Sequence, residues 1–368
     1  MKFLVQRDDL ENELQFLQGI AEKKKTIPIL SNILLSAEAA GLSLAATDLE
    51  VSLTTSCHAT SVTQGSVSVS AKKLFEIVRS LPGGEIEMIS DTGEWLEIRA
   101  GEVFFRLVGL PVSDFPEVPT NDFSGAVEIP HALFRELIRR TLFAVTKEDV
   151  RYSLNGVLLE IGAGKVRMVA TDAHRLSLVE KDSAELGTQT EVRAIIPKKA
   201  LAELRDLVDA EKMLFAQDEH HLYFQVAHRV LSTRVIEGQF PAYEKVVPQG
   251  NPAVVLFSVE TMSAAIRRVS LLASERSRAV KFTFENGTAT ITSSNPEMGE
   301  ARETIPVQYE GEQLNVSFNA QYVLDFLAVV AEGEVEFHLR DDSSQGLLVP
   351  KEAQDDLSYR YVIMPMRL

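Results

Sequence analysis

Asp172, His174, Arg175 and Ser177 stand close together and supply an acid, a base, a cation and a hydroxyl, the materials of a nucleophilic or general-base site. Such a site must converge on one substrate atom. Along a single strand, residues two apart share a face and point the same way, so this spacing does not provide convergence. A near-copy of the segment also weighs against catalysis. Ala45-Ala46-Thr47-Asp48-Leu49-Glu50-Val51-Ser52-Leu53 parallels Val169-Ala170-Thr171-Asp172-Ala173-His174-Arg175-Leu176-Ser177-Leu178, but it carries Leu49-Glu50-Val51 in place of Ala173-His174-Arg175. Thr-Asp is shared between the copies and His174 is not. Thr47-Asp48 and Thr171-Asp172 therefore read as turn and strand-end chemistry, in which an Asp oxygen accepts from nearby backbone N–H groups. The sequence contains no Walker loop, Rossmann glycine fingerprint or metal-ligand set. Its single cysteine, Cys57, has no Cys or His cluster of ligand spacing around it. No catalytic residue, cofactor or metal is expected, and a hydrolase using His174 is the weakest of three readings.

The spacing of the copies sets the architecture. Asp48 and Asp172 lie 124 positions apart (172 minus 48), the echo Thr292-Ser293-Ser294-Asn295 ends 123 later (295 minus 172), and Phe240 follows Phe115 by 125 (240 minus 115). A period that long is a repeated domain, and 368 residues accommodate three. The expected domains span 1–120, 126–247 and 253–368. Apolar residues at helical spacing predict helices over 7–18, 71–81, 130–145, 197–208, 259–273 and 319–330, the last capped by Asn319. Alternating segments between them predict strands. The fold class is α+β: three similar domains, each a duplicated β-α-β-β-β half, giving six halves and six helices. Repeats joined with a constant rotation form an arc, and the simplest closure adds a second copy head to tail.

A net charge of −16 and 45% hydrophobic residues describe a chain able to build cores, with no run near the roughly 18 apolar residues of a membrane span. A cytoplasmic location is expected. The 37 Lys and Arg residues are unevenly placed. Lys72, Lys73 and Arg79 fall on the second helix, Arg135, Arg139 and Arg140 on the third, Lys198, Lys199 and Arg205 on the fourth, and Arg267 and Arg268 on the fifth, away from the leucines. Lys23, Lys24, Lys25, Lys147, Arg276 and Arg278 follow helices. The sixth helix breaks the pattern, with no Lys or Arg and with Asp325. Such helices would hold a polyanion through its phosphates, with salt-dependent affinity and no sequence preference. The competing explanation is ordinary solvent-facing pairs with nearby Glu and Asp.

Thr26-Ile27-Pro28-Ile29-Leu30, Thr47-Asp48-Leu49-Glu50, Arg151-Tyr152-Ser153-Leu154-Asn155-Gly156, Val169 to Leu176, Phe240-Pro241 and Tyr361-Val362-Ile363-Met364-Pro365-Met366-Arg367-Leu368 carry a resemblance that extends over the whole chain. The chain resembles the bacterial DNA polymerase III beta subunits, the replicative sliding clamps. The resemblance implies a homodimeric ring around double-stranded DNA that tethers the polymerase III alpha subunit, the clamp-loader delta subunit, and other polymerases and repair proteins. It also implies a peptide cleft of Leu154, Thr171, His174, Arg175, Leu176, Pro241, Lys245, Val246, Val362, Ile363, Met364, Pro365 and Met366. Adaptable Met side chains and rigid Pro walls suit several ligands. DNA contacts are expected at Lys24, Lys72, Arg79, Arg139, Tyr152, Lys198, Arg205, Arg276 and Arg278, and a dimer interface at Lys73, Phe105, Leu271, Leu272 and Glu297. Lys245 replaces the family's usual Arg, Ser153 stands where a second Tyr is frequent, and the terminal hairpin at 341–358 is longer than the family pattern. The rival reading is a peptide-binding adaptor of the same repeats that never encircles DNA. Taken alone, Met364-Pro365-Met366 would read as a frayed terminus.

Overall fold

The computed structural model describes residues 1–21, 27–91, 94–146, 152–162, 164–182, 191–207, 210–352 and 356–367. In chain order, β1 (Lys2–Gln6), α1 (Arg7–Ile20), β2 (Asn32–Glu38), β3 (Gly41–Thr47) and β4 (Val51–Cys57) precede a short β5 (Ala59–Thr63). The order then recurs as β6 (Gly65–Ser70), α2 (Ala71–Ser80), β7 (Glu85–Ile89), β8 (Trp95–Ala100) and β9 (Val103–Leu110). It recurs again as β10 (Val127–Pro130), α3 (His131–Thr141), β11 (Gly156–Gly162), β12 (Lys165–Thr171) and β13 (Arg175–Asp182). Next come β14 (Val192–Pro197), α4 (Lys198–Asp206), β15 (Lys212–Gln217), β16 (His221–Val226) and β17 (Arg229–Arg234). The last third holds β18 (Ala253–Ser258), α5 (Val259–Val269), β19 (Ala279–Glu285), β20 (Thr288–Asn295) and β21 (Gly299–Pro306). It ends with β22 (Leu314–Asn319), α6 (Ala320–Val330), β23 (Glu334–Leu339), β24 (Gly346–Pro350) and β25 (Ser358–Ile363). Strand, helix and three strands thus follow one another six times, an α+β fold of repeated halves.

Local chemistry explains the elements. Leu10, Leu14, Leu17 and Ile20 put one buried stripe along α1, each side chain gaining roughly 1.5–3 kcal/mol on leaving water. Side-chain oxygens of Ser70, Ser258 and Asn319 accept from Lys73, Thr261 and Gln321 N–H groups and cap α2, α5 and α6. α3 and α5 end earlier than periodicity predicts, at Thr141 and Val269, whereas α1 runs on to Ile20 and α6 ends at Val330 as expected. After α3 and α5 the chain tightens into 3-10 turns at Leu142–Ala144 and Ser270–Leu272, a common way to satisfy terminal carbonyls. Two strands lack a sequence signal. β5 is short, and β21 reads Gly-Glu-Ala-Arg-Glu-Thr-Ile-Pro, with mostly exposed side chains and no apolar run.

The Val169 to Leu178 stretch is a hairpin, not one strand. β12 and β13 pair antiparallel down to Thr171↔Leu176, and Asp172 to His174 make the turn. Asp172 Oδ1 accepts from His174 N at 3.0 Å and Arg175 N at 3.0 Å, and Ala173 takes φ 71°. The earlier copy is built the same way. Asp48 Oδ1 accepts from Glu50 N at 3.0 Å and Val51 N at 2.7 Å, with Leu49 at φ 76°. Asn295 repeats the device with Glu297 N at 3.0 Å.

The described residues form two compact units. The first, residues 1–135 with 199–235, contains a thirteen-stranded sheet in the order β10-β15-β16-β17-β4-β3-β2-β6-β9-β8-β7-β1-β5. β17 joins β4 through Val230↔Thr54 to Thr233↔Val51. Within this unit the buried Glu13 carboxylate receives Arg229 Nε at 2.9 Å, Arg229 Nη2 at 2.7 Å and the Thr55 hydroxyl at 2.6 Å. The second unit, residues 136–198 with 236–368, contains an eight-stranded sheet in the order β14-β11-β12-β13-β25-β24-β23-β18 and a four-stranded sheet in the order β21-β20-β19-β22.

Candidate functional site

In the second unit β13 lies between β12 and β25, with Leu176 opposite Val362. Those two side chains, with Leu158, Val169, Leu178, Ile195, Phe240 and Tyr243, form a buried apolar cluster. Above it opens a cavity of about 240 Å³ lined by Leu154, Thr171, Ala173, Arg175, Leu176, Pro241, Tyr243, Val246, Gln345, Val362 and Met364. An apolar pocket with a few fixed polar groups at its rim is built to take a side chain or short segment of a ligand.

One polar node frames it. Arg175 is only 9% exposed. Its Nε bonds Asp172 Oδ2 at 3.0 Å, Nη1 bonds Asp325 Oδ2 at 2.5 Å, and Nη2 bonds the Phe143 carbonyl at 2.8 Å. The guanidinium lies 4.4 Å from the Tyr322 ring centroid and 5.4 Å from that of Phe143. Burial works against its charge, but Tyr361, Asp325 and Asp172 more than offset this and hold the group protonated. The tail is docked. Met364 N donates to the His174 carbonyl at 2.9 Å, and Met366 N to the Ser317 carbonyl of β22 at 2.7 Å.

Of the residues expected in the cleft, Leu154, Thr171, Arg175, Leu176, Pro241, Val246, Val362 and Met364 line the cavity. Ile363 does not. It is fully buried because strand alternation in β25 points it away from Val362. His174 is exposed on the turn and stacks on Tyr322 at 6.4 Å, while Lys245, Pro365 and Met366 stand outside the cavity wall. The cavity also takes in Ala173 and Gln345, which lie in stretches the sequence associates with the cleft but are not among its expected residues, and Tyr243, which sequence reasoning missed. The positive φ of Ala173 was implicit in its match to Leu49, whereas Gln345 reaches the cavity from the turn before β24, which no local pattern reveals. The Asp-His-Ser arrangement dissolves, since Ser177 is buried and donates to the Arg140 carbonyl at 2.5 Å.

The basic residues divide three ways. Arg79, Arg276 and Arg278 are exposed and have no ion-pair partner among the described residues. Lys72 lies 3.8 Å from Glu76 and Arg205 bonds Asp206 at 2.8 Å, surface pairs that are weak and exchangeable; half-buried Arg139 bonds Glu136 at 2.8 Å and donates to the Val329 carbonyl at 2.5 Å. Lys198 is half-buried and donates to the Val145 carbonyl at 2.8 Å. Two expected surface cations are structural. Arg140 is 1% exposed beneath the Tyr359 ring, and Lys199 bonds Asp48 and the Ile20 carbonyl. Lys23, Lys24, Lys25, Lys147 and the side chain of Tyr152 lie outside the described residues.

Among the strands that leave a side unpaired, which include the sheet-end strands, β9 and β21 are flanked by exposed apolar side chains. β9 pairs with β8 along its length but with β6 only through Leu110 and Gly109, leaving Val103 to Val108 free on one side. β21 ends the four-stranded sheet. Each edge carries exposed apolar side chains: Phe104 at 54% and Val108 at 58% on β9, Leu271 at 75% and Met298 at 58% beside β21. Phe105 is half-buried, on the opposite side of β9 from Phe104. Lys73 pairs with its own Glu76 at 2.6 Å, Leu272 is half-buried and Glu297 is exposed.

Three models of the DNA polymerase III beta subunit match in sequence order: the N-terminal domain over residues 1–119, the central domain over 128–242 and the C-terminal domain over 244–367. The chain belongs to the DNA polymerase III beta-subunit family. It is 37% identical to the beta sliding clamp of Pseudomonas aeruginosa over 371 residues, and 36% identical to that of Caulobacter vibrioides over 376, covering all of each. A crystal structure of the P. aeruginosa subunit superposes with a TM-score of 0.93 at 36% identity, with both chains fully covered. The DNA polymerase sliding clamp of Bacillus subtilis gives 0.93 at 29% identity, covering 100% of this chain and 99% of that one. Members of this family are processivity subunits, not enzymes, and the chain is a sliding clamp of three similar domains.

Proposed function

We propose that two copies of this chain close head to tail around duplex DNA, holding it through phosphates, and carry the replicative polymerase on the apolar cleft beside Arg175. The end-to-end match to sliding clamps carries this reading, and the cleft with its docked Met364 supports it. Domain bounds at 1–120, 126–247 and 253–368 belong to the same reading, supported by three family models that follow one another over 1–119, 128–242 and 244–367. DNA contacts are assigned to Arg79, Arg276 and Arg278, to Lys24 and Tyr152, and to Lys72, Arg139, Lys198 and Arg205 where the partners of these four yield to phosphate. The partner cleft comprises the eight lining residues named above, with His174, Lys245, Pro365 and Met366 at its rim. The delta subunit of the clamp loader and repair polymerases are further occupants. The open edges of β9 and β21 supply the dimer seam, with Lys73 and Glu297 flanking Phe105, Leu271 and Leu272. The adaptor that never encircles DNA is disfavoured, because the relatives over the full length are named sliding clamps.

The test is retention. Loaded onto a nicked circular plasmid, the protein stays bound through gel filtration and is released when one restriction cut gives the DNA free ends. Equal retention on cut and uncut DNA rejects encirclement. In the same preparation Met364→Asp, at a position 38% exposed, weakens binding of the polymerase III alpha subunit tenfold or more, about 1.4 kcal/mol.

A further inference from the structure

We propose that Asp325 is a positioning residue for the partner cleft: from α6 it fixes Arg175, and through Arg175 the 172–174 turn and the tail residue Met364, in the arrangement that receives a partner segment. This rests on the reading of the cleft given above. Asp325 does not line the cavity; Arg175 does. Both carboxylate oxygens of Asp325 are committed, Oδ2 to Arg175 Nη1 at 2.5 Å and Oδ1 to Gln321 Nε2 at 2.7 Å. Gln321 N is in turn fixed by the Asn319 cap. On the other side of the guanidinium, Asp172 spends Oδ2 on Arg175 Nε and Oδ1 on the N–H groups of the turn, whose His174 carbonyl receives Met364 N. A continuous run of polar contacts therefore leads from α6 to the residue at the cavity mouth.

Asp325 is the one charged residue of α6, the helix that departs from the basic pattern of its counterparts. Without it, Arg175 would be a buried cation held by one carboxylate instead of two. It would lose its tie to α6 while keeping Asp172 and the Phe143 carbonyl, and the α6 side of its seat would have to be ordered by each arriving ligand.

The experiment measures the Kd of the polymerase III alpha subunit for the intact protein by surface plasmon resonance, with Asp325→Asn, Asp325→Glu, Arg175→Met and the Arg175→Met/Asp325→Asn double variant. Thermal melts confirm that each variant folds. Asp325→Asn is expected to weaken binding about tenfold, mainly through faster dissociation. Asp325→Glu recovers at least part of the loss, and Asp325→Asn adds nothing in the Arg175→Met background. An unchanged Kd for Asp325→Asn, or losses that simply add in the double variant, overturns the proposal. If Met364→Asp also leaves the Kd unchanged, the cleft reading itself fails, and the inference with it.

Discussion

Glu13, Arg140, Arg175 and Arg229 are each less than a tenth exposed, and buried charge at this cost is retained only where partners are complete. None of the four was legible as buried in the sequence, because burial of a charge depends on partners far along the chain. Arg229 meets Glu13 across 216 positions, and Arg175 meets Asp325 across 150. Helical spacing put Leu10 and Leu14 inside correctly but had no means of adding Glu13 to them. Glu13 also gives the protein a measurable acid response. Burial alone would raise its carboxyl, but hydrogen bonds from Arg229, Thr55 and His228 outweigh it and hold it below the ordinary 4.5. A group whose folded pKa is lowered contributes stability above its unfolded value, and that contribution is lost as pH falls through the folded one. Glu13→Gln is therefore expected to be about 3 kcal/mol less stable at pH 7 and to lose less in melting temperature than the parent between pH 6 and pH 3. Parallel curves for the two proteins would show that the carboxylate contributes nothing to acid sensitivity.

Among the elements, the turns were the most legible part of the fold and the polar strands the least. Thr-Asp before a strand announces a side chain that can replace backbone partners, and both copies form the same turn with the third residue at positive φ. The two turns should nevertheless respond differently to the same substitution. Asp48→Ala and Asp172→Ala each remove an acceptor of two backbone N–H groups, costing about 1–2 kcal/mol of stability in denaturant titrations. Only Asp172→Ala is expected to weaken the polymerase alpha subunit, because only its turn carries Arg175 and the Met364 carbonyl partner. Comparable loss from Asp48→Ala would mean that the cleft senses global stability. β21 was missed because periodicity detects burial, and this strand buries almost nothing. α6 reads as an exception in charge, and the structure supplies the reason: its Asp325 is spent on Arg175.

On the scale of the whole molecule, the 124-residue period identified three copies and an arc that a second copy would close, while the resemblance supplied what such a ring would encircle. The sequence could not reveal that β9 and β21 each leave one side largely unpaired, since an edge is defined by the strand that fails to arrive. Edge strands with exposed apolar side chains are ordinarily guarded against association; here Phe104, Val108, Leu271 and Met298 invite it. Leu271→Asp places a charge at a site 75% exposed, so the monomer should fold normally while the dimer dissociates at a protein concentration at least tenfold higher in sedimentation equilibrium. An unaltered dimer constant would move the seam elsewhere.

The edges of β9 and β21 are unlike each other, so a head-to-tail pair joined through them would be fastened at two separate places rather than across one self-complementary patch. A chain spoiled at β9 still offers a sound β21, and the reverse holds for its counterpart. Mixed in equal amounts, two such crippled chains can complement at one fastening and leave the other broken, giving a stoichiometric pair that is joined but permanently ajar.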